Sequence, residues 1–161
     1  MTQETSERVV EKSVTVSVPV ERAFEVFTDG FGDWFPRQYN LMQSDIVERV
    51  FEPRAGGEVY DRGADGEECH WGRVLEYEPP KRVILGWGIS PEWQVETDPD
   101  RISEVQVDFI AESDARTRVE LEHRHFERHG DGWEQLRDAI AGPGGWSGCL
   151  EAYAATIAAA A

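Results

Sequence analysis

The stretch that decides the fold is the C-terminal segment GPGGWSGCLEAYAATIAAAA, residues 142–161. Its glycines and proline end any preceding helix, and the alanines that follow are strong helix formers. Large side chains recur through it at helical spacing and form one stripe: Trp146, Cys149, Leu150, Tyr153 and Ile157. Such a helix must bury its stripe against a partner. A stripe that carries an indole, a thiol and a phenol is suited to line a cavity as well as to fill a core.

The residues before this segment predict mostly strands. Apolar and polar residues alternate from Val9 to Val18, which predicts a first strand. Helical spacing of apolar and aromatic residues then predicts two short helices, over residues 19–28 and 31–35. Later alternation predicts about six more strands, with residues 102–111 and 117–126 as the clearest antiparallel pair. The order is typical of an α+β fold, a curved antiparallel sheet of about six to seven strands around one long helix.

The composition excludes several classes of partner. The chain has 32 acidic and 16 basic residues and a net charge of −16, which argues against nucleic acid and against an anionic membrane surface. It contains no apolar run of about 18 residues, and its polar start lacks the hydrophobic region of a signal peptide. We therefore expect a cytoplasmic protein. We also expect a monomer or weak homodimer in which residues 1–7 are disordered. Cys69 and Cys149 are expected to be buried thiols rather than a disulfide.

Five segments of the chain, in this order, match a known superfamily. They are SVTVSVPVERAFEVFTDGFGDWF (13–35), EPRAGGEVYD (52–61), WGRVLEYEPPKRVILGW (71–87), TRVELEHRHFERHG (117–130) and GGW (144–146). Together they resemble the SRPBCC, or START-like, superfamily, and within it the group related to the Hsp90 ATPase activator homologue domain. The DGFGDWF piece and residues 117–130 look most like the enediyne (calicheamicin-type) self-resistance proteins.

The resemblance implies a helix-grip fold, START-like and Bet v 1-like, in which the sheet wraps around the C-terminal helix. It implies a single ligand-binding domain over residues 1–161, with a hydrophobic cavity between sheet and helix. It leaves the ligand open, because the superfamily includes lipid carriers, hormone receptors, polyketide cyclases and chaperone regulators. The expected partner is a hydrophobic or aromatic small molecule.

The candidate ligand-binding residues are those that strand parity or the helical stripe directs toward this cavity. They are Trp34, Phe35, Trp71, Trp87, Phe109, Leu121, His123, His125, Trp146, Cys149, Leu150 and Tyr153. A flat polycyclic ligand suits such an aromatic lining, because aromatic rings pack by offset stacking. The sequence predicts no catalytic residue, no cofactor and no metal.

Three polar residues on the predicted inner face leave alternatives open. His123 and His125 lie two apart on one strand and are expected to point inward, either as polar anchors for a ligand or as hydrogen-bonded core residues. As metal ligands they lack a visible third partner. Arg73 shares the parity of Trp71 and of Leu75, so it faces either an anion or, if Gly72 forms a bulge, the solvent. We favour the bulge.

Four functions are compatible with these features. The first is binding of a hydrophobic or aromatic small molecule without chemistry. The second is a self-resistance protein that sequesters a reactive product such as an enediyne. The resemblance group uses a glycine in the hairpin before the TRV strand, and residues 111–116 contain none, which disfavours cleavage but not sequestration. The third is a polyketide aromatase/cyclase with His123 or His125 as general base. The fourth is an Hsp90-type chaperone regulator, which would need an exposed apolar patch.

Overall fold

A computed structural model describes residues 9–36, 41, 45–142 and 144–160. The predicted disorder of residues 1–7 lies outside these ranges. The described strands are β1 (Val10–Val16), β2 (Ile46–Phe51), β3 (Glu58–Gly63), β4 (Glu68–Glu78), β5 (Arg82–Trp87), β6 (Ser103–Ser113) and β7 (Arg116–Arg124). The described helices are α1 (Val20–Thr28), α2 (Phe31–Trp34), α3 (Trp133–Ala141) and α4 (Trp146–Ala160). Short 3-10 turns cover Pro99–Arg101 and Phe126–His129.

The seven strands form one antiparallel sheet in the order β1-β7-β6-β5-β4-β3-β2. From β2 to β7, each strand lies next to the strand that follows it in the sequence. Strand β1 pairs with β7 and forms the edge of the sheet opposite β2. The sheet curls around α4, which packs against β1, α1, α2 and α3. The predicted α+β helix-grip architecture is confirmed, including the two short helices after the first strand.

The core lies between the inner face of the sheet and α4. On the sheet side Val105, Val107, Phe109, Val119 and Leu121 are buried, as the alternation in β6 and β7 predicts. On the helix side the whole predicted stripe of α4 is buried. Burial of this apolar face is the main stabilising contribution that the sequence pattern encodes.

A bulge in β4 decides which of its side chains face the core. Val59 pairs with Gly72 and Tyr60 with His70, so Trp71 is an extra residue without a cross-strand partner. As a result Trp71 and Val74 are both buried, although they are three residues apart. The bulge interpretation of Arg73 is confirmed, because that side chain is exposed. The inward orientation of Leu75 is wrong, since the shifted register leaves it 40% exposed.

Candidate functional site

A cavity of about 290 Å³ lies between the sheet and the first turn of α4. This volume is at the low end of the range for ligand pockets and suits a compact molecule. Apart from one carboxylate, the described lining is apolar, aromatic or glycine. It consists of Phe35, Leu41, Asp61, Trp71, Trp87, Ile89, Trp93, Ala139, Ile140, Gly144, Gly145, Trp146 and Cys149.

Five of the predicted ligand-binding residues line this cavity: Phe35, Trp71, Trp87, Trp146 and Cys149. Three of the indoles meet edge to face. The ring centroids of Trp71 and Trp87 are 5.2 Å apart at 68°, and those of Trp87 and Trp146 are 5.7 Å apart at 60°. Edge-to-face packing is a favoured aromatic geometry. The indoles therefore form the wall of the cavity.

The start of α4 lies close to the end of α3 because of a glycine. A Cβ atom added to Gly145 would lie 1.9 Å from the backbone oxygen of Ile140, so only glycine fits there. Both residues line the cavity, and Cys149 donates its backbone N–H to the Gly145 oxygen at 3.1 Å in the first turn of α4. The close approach thereby places Trp146 and Cys149 on the cavity wall.

Trp93 is a cavity residue that the sequence analysis missed. It lies in the loop after β5, where Ile89 and Val95 form an isolated bridge, and its backbone N–H donates to the Ser90 oxygen at 2.9 Å. Its φ of 60° is left-handed, an uncommon conformation for a large side chain. The residue is 51% exposed and belongs to the cavity lining. The part of its surface that lines the cavity is available to a bound molecule.

Three predicted cavity aromatics lie instead in a tightly packed core. Trp34, Phe109 and Tyr153 all pack against Phe27, with ring centroids 4.9 to 5.5 Å from its ring. The Tyr153 hydroxyl donates to the Ala23 oxygen at 2.7 Å. The structure does not place these three predicted ligand-binding residues in the cavity lining, because ring side chains of α1 and α2 occupy this part of the space. Leu121 and Leu150 are also buried but do not line the cavity.

His125 does not point inward as predicted. Strand β7 ends at Arg124, and His125 turns the chain with a left-handed φ of 66°. Its partly exposed ring lies 3.7 Å from the carboxylate of Glu127. The alternation continues in the sequence as far as Phe126, but the strand stops earlier. His125 is therefore separated from both the cavity and His123.

A buried ion pair between Arg49 and Asp61 was also missed. These residues are direct cross-strand partners in β2 and β3. The Arg49 Nε donates to Asp61 Oδ1 at 2.6 Å, and Nη2 donates to Oδ2 at 3.1 Å. Both side chains are almost fully buried. A sequence signal existed for Asp61, since it alternates with the core residue Val59 in β3, but its partner depends on a register that local pattern does not give.

A second buried polar network connects the cavity wall to the interior of the sheet. The Trp146 Nε1 donates to His123 Nδ1 at 3.1 Å. The other ring nitrogen of His123 lies 2.7 Å from Ser103 Oγ, and that hydroxyl lies 2.8 Å from His129 Nε2. Ser103 and His129 carried no sequence signal for this arrangement, because they come from β6 and from the turn after β7.

Burial determines the protonation of the two histidines in this hydrogen-bonded network. Burial lowers the pKa of His123 well below its usual value and lowers the pKa of His129 to about 4. Both rings are therefore neutral at pH 7. Because His123 Nδ1 accepts from Trp146, its hydrogen is on Nε2 and is donated to Ser103, which donates in turn to His129. These hydrogen bonds hold the Trp146 indole in place and leave no nitrogen of His123 free to act as a base.

Cys149 contributes surface to the cavity rather than reactivity. Burial raises the pKa of its thiol to about 12. At neutral pH it is therefore protonated, and the thiol is a poor nucleophile compared with the thiolate. Its role in the cavity wall is that of a small apolar side chain.

The described ranges contain neither a cluster of metal ligands nor a membrane-spanning helix. There, no three His, Cys, Asp or Glu side chains group in a way that could hold a metal ion. In the same part of the chain, no helix is long and apolar enough to cross a membrane. Two networks of hydrogen-bonded polar groups lie near the cavity, one around Asp61 and one around His123, while Trp87 Nε1 and His129 Nδ1 have no hydrogen-bond partner among the described residues.

Three solved structures show what the chain is similar to. An anthrahydroquino-γ-pyrone synthase, Txn09, complexed with SUM, shares 41% identity with a TM-score of 0.64, over 92% of this chain and 97% of the synthase. CalC, a self-sacrificing resistance protein from Micromonospora echinospora, shares 29% identity with a TM-score of 0.68, over 94% of each chain. Protein NE0264 from Nitrosomonas europaea shares 17% identity with a TM-score of 0.68, over 97% of each chain, which shows the fold alone.

The family comparison agrees with the fold. A search of curated protein sequences gave no match. The model of the family described as activator of Hsp90 ATPase homolog 1-like protein matches residues 17–158. The predicted SRPBCC/START-like resemblance is confirmed, as is the similarity to a self-resistance protein. The chain therefore belongs to the activator of Hsp90 ATPase homolog 1-like protein family.

Proposed function

We propose that this protein binds a planar, polycyclic aromatic small molecule of the polyketide type in the cavity beside α4. The observation that carries the proposal is the lining, in which four indoles and one phenyl ring surround a space of about 290 Å³. Flat aromatic molecules pack well against such rings. The 41% identity to a synthase named for an anthrahydroquinone fused to a pyrone supports the same ligand class.

Replacement of one cavity indole tests this binding. Equilibrium dialysis with a hydroxylated anthraquinone should give an affinity about tenfold or more weaker for Trp71→Ala than for the wild type, because an aromatic contact and buried area are lost. Trp133→Ala is the matched control. Trp133 is half-buried and lies outside the described lining, with the Arg137 guanidinium over its ring. Equal weakening by both variants, or no binding to the wild type, would contradict the proposal.

We further propose that the bound molecule undergoes ring closure, in which a phenolic oxygen attacks an acyl side chain to form a pyrone. The support is the similarity to the synthase over nearly the whole of both chains. A cavity can promote such a reaction by holding the oxygen and the electrophilic carbon close together in one conformation. His123 and His125 are poor candidates for the base. The first is fully paired behind the wall and the second lies outside it.

A direct assay separates ring closure from binding. The substrate is an ortho-hydroxyaryl 1,3-diketone built on an anthraquinone, which closes to a γ-pyrone with loss of one water. Mass spectrometry should show that loss faster with the wild type than in buffer or with Trp71→Ala. If the diketone binds but is released unchanged at the rate seen in buffer, the ring-closure proposal fails while the binding proposal stands.

A second candidate is sequestration of a reactive natural product, favoured by the 29% identity to CalC. The turn between β6 and β7 consists of Asp114 and Ala115 and contains no glycine. We therefore expect the chain to stay intact in this role. Incubation with an enediyne should leave the protein mass unchanged and protect DNA from cleavage. Loss of DNA at the rate seen without protein would exclude this candidate.

A further inference from the structure

We propose that Asp61 is the polar anchor of the cavity and accepts a hydrogen bond from a phenolic hydroxyl of the ligand, with Arg49 as its positioning residue. This inference rests on the proposed function and narrows it to a neutral hydroxyarene that also carries a carbonyl group. Asp61 is the one charged side chain among the described lining residues, and it is fully buried. A carboxylate in such a place must be compensated by partners.

Arg49 supplies that compensation and fixes the carboxylate. Its guanidinium forms a bidentate pair with Asp61 and donates Nη1 to the backbone oxygens of Phe35 and Pro36 at 3.2 and 3.1 Å. The guanidinium carbon also lies 4.8 Å from the centre of the Phe35 ring. These contacts tie the pair to the segment after α2, which carries one wall of the cavity. The carboxylate is therefore rigid before any ligand arrives, which lowers the entropic cost of binding to it.

The hydrogen-bonding capacity of Asp61 is not used up by Arg49. An ionised carboxylate has about four acceptor sites and no donor. The described contacts of Asp61 occupy two of them, both with Arg49. Asp61 belongs to the cavity lining but has no exposed surface, so a donor on the ligand reaches a remaining acceptor site through a small shift of the neighbouring wall. A hydroxyl group satisfies this requirement, whereas an ether does not, and a carboxylate on the ligand would be repelled.

Trp87 supplies the complementary requirement. Its side chain is buried and lines the cavity, and its indole Nε1 has no hydrogen-bond partner among the described residues. An unpaired buried donor is unfavourable and gains from an acceptor such as a ligand carbonyl. One acceptor at Asp61 and one donor at Trp87 together select an aromatic molecule with both a hydroxyl and a carbonyl group.

Two probes that differ in one hydrogen-bond donor test the anchor without any mutation. They are 2-hydroxyanthraquinone and 2-methoxyanthraquinone, in which the substituent is too far from the quinone oxygens for an internal hydrogen bond. Equilibrium dialysis is carried out at a pH where the phenol is protonated. We expect the wild type to bind the hydroxyl probe about tenfold or more tightly, as is typical of a hydrogen bond to a charged acceptor.

A paired variant shows whether Asp61 causes this preference. Arg49→Met combined with Asp61→Leu removes both charges and leaves neither partner unpaired. The preference for the hydroxyl probe should fall to about twofold or less, as expected when the charged acceptor is gone. Trp87→Phe keeps a ring but removes the donor, so it should weaken both probes to the same extent, because both carry the quinone oxygens.

The outcomes separate this inference from the proposed function. If the wild type binds both probes with affinities within about threefold, or if the paired variant keeps the preference, Asp61 is not the anchor although the cavity binds aromatic molecules. If the wild type binds neither probe, the proposed function fails and this inference fails with it. If the paired variant does not fold, similar affinities of the wild type for the two probes would still overturn the inference.

Discussion

The two halves of helix α4 face very different surroundings. Near its C-terminal half, Tyr153 packs into a core centred on Phe27, whose ring contacts those of Phe31, Trp34, Phe109 and Tyr153 at centroid distances of 4.9 to 6.4 Å. Near its N-terminal half, Trp146 and Cys149 face a cavity. The two regions are equally aromatic, so residue type alone does not distinguish a packed core from a binding site.

The difference lies in the side chains that face each half of α4. Helices α1 and α2 fill the space beneath Tyr153 with ring side chains, whereas the first turn of α4 is held against α3 by Gly145 and leaves a gap beside the sheet. The gapped half also contains the buried polar networks, around Asp61 and around His123. A region that is incompletely packed and carries paired polar groups is the one where function is expected.

The largest expected contrast comes from truncation of one large side chain in each half. Phe27→Ala should lower the free energy of unfolding by about 3–5 kcal/mol, because a fully enclosed ring leaves an empty cavity. Ile140→Ala, at the existing cavity, should cost about 2 kcal/mol, close to the transfer free energy of the lost atoms alone. Urea denaturation measures both values. Equal losses would mean that the cavity is not open space in the folded protein.

The next largest effect is a dependence of stability on pH, and it arises from His129 in the polar network beside the cavity. The pKa of His129 falls from its usual 6.5 to about 4 on folding, because the ring is buried. Between pH 6.5 and 4 the unfolded chain binds a proton that the folded chain does not. The free energy of unfolding should therefore fall as the pH falls through this window, by about 3 kcal/mol for His129 alone, and then level off.

The control for this titration is His129→Gln, which removes the titrating ring. Many carboxylates also titrate on acidification, so the informative quantity is the difference between wild type and variant at each pH. That difference should shrink from pH 7 to pH 4 as wild type loses its advantage. A difference that stays constant would show that His129 is not kept neutral by the fold.

The smallest effect comes from adding volume instead of removing it. Ala23→Leu, in the packed half where Ala23 is fully buried, should destabilise the protein by about 1–3 kcal/mol through overpacking. Cys149→Leu adds volume next to the cavity and should change the stability by less than about 1 kcal/mol. It should also weaken ligand binding, because the added atoms occupy the same space. Thermal denaturation and equilibrium dialysis measure the two effects, and equal destabilisation by both variants would contradict the comparison.

Periodicity in the sequence predicted the α+β layers and five of the thirteen described lining residues, whereas the helix-grip arrangement was implied by the family resemblance. The stripe of α4 and the alternation in β6 and β7 are local patterns, and local patterns predict which face is buried. The same patterns could not separate Tyr153 from Trp146, because that depends on which distant side chains fill the facing space. They also missed where β7 ends, so His125 was placed on the inner face although a left-handed turn follows Arg124.

The polar part of the site depends on contacts between distant residues. A buried arginine needs an anionic partner, and the arginine that the sequence singled out was Arg73, which the bulge in β4 turns outward. The buried arginine is Arg49, and its partner Asp61 is identified only by the register of β2 on β3. His129 likewise meets Ser103 across the fold. Neither pairing leaves a signature in spacing along the chain.

The placement of the tryptophans has an optical consequence. Of the six in the chain, Trp71, Trp87, Trp93 and Trp146 line the cavity. The intrinsic fluorescence of the protein is therefore emitted mainly by side chains at the site where a ligand would lie. A bound quinone, which absorbs near-ultraviolet light, would quench this emission, whereas a colourless ligand would mainly shift the emission of the half-exposed Trp93. Ligand binding in the cavity can thus be followed by the intrinsic tryptophan fluorescence of the unlabelled protein.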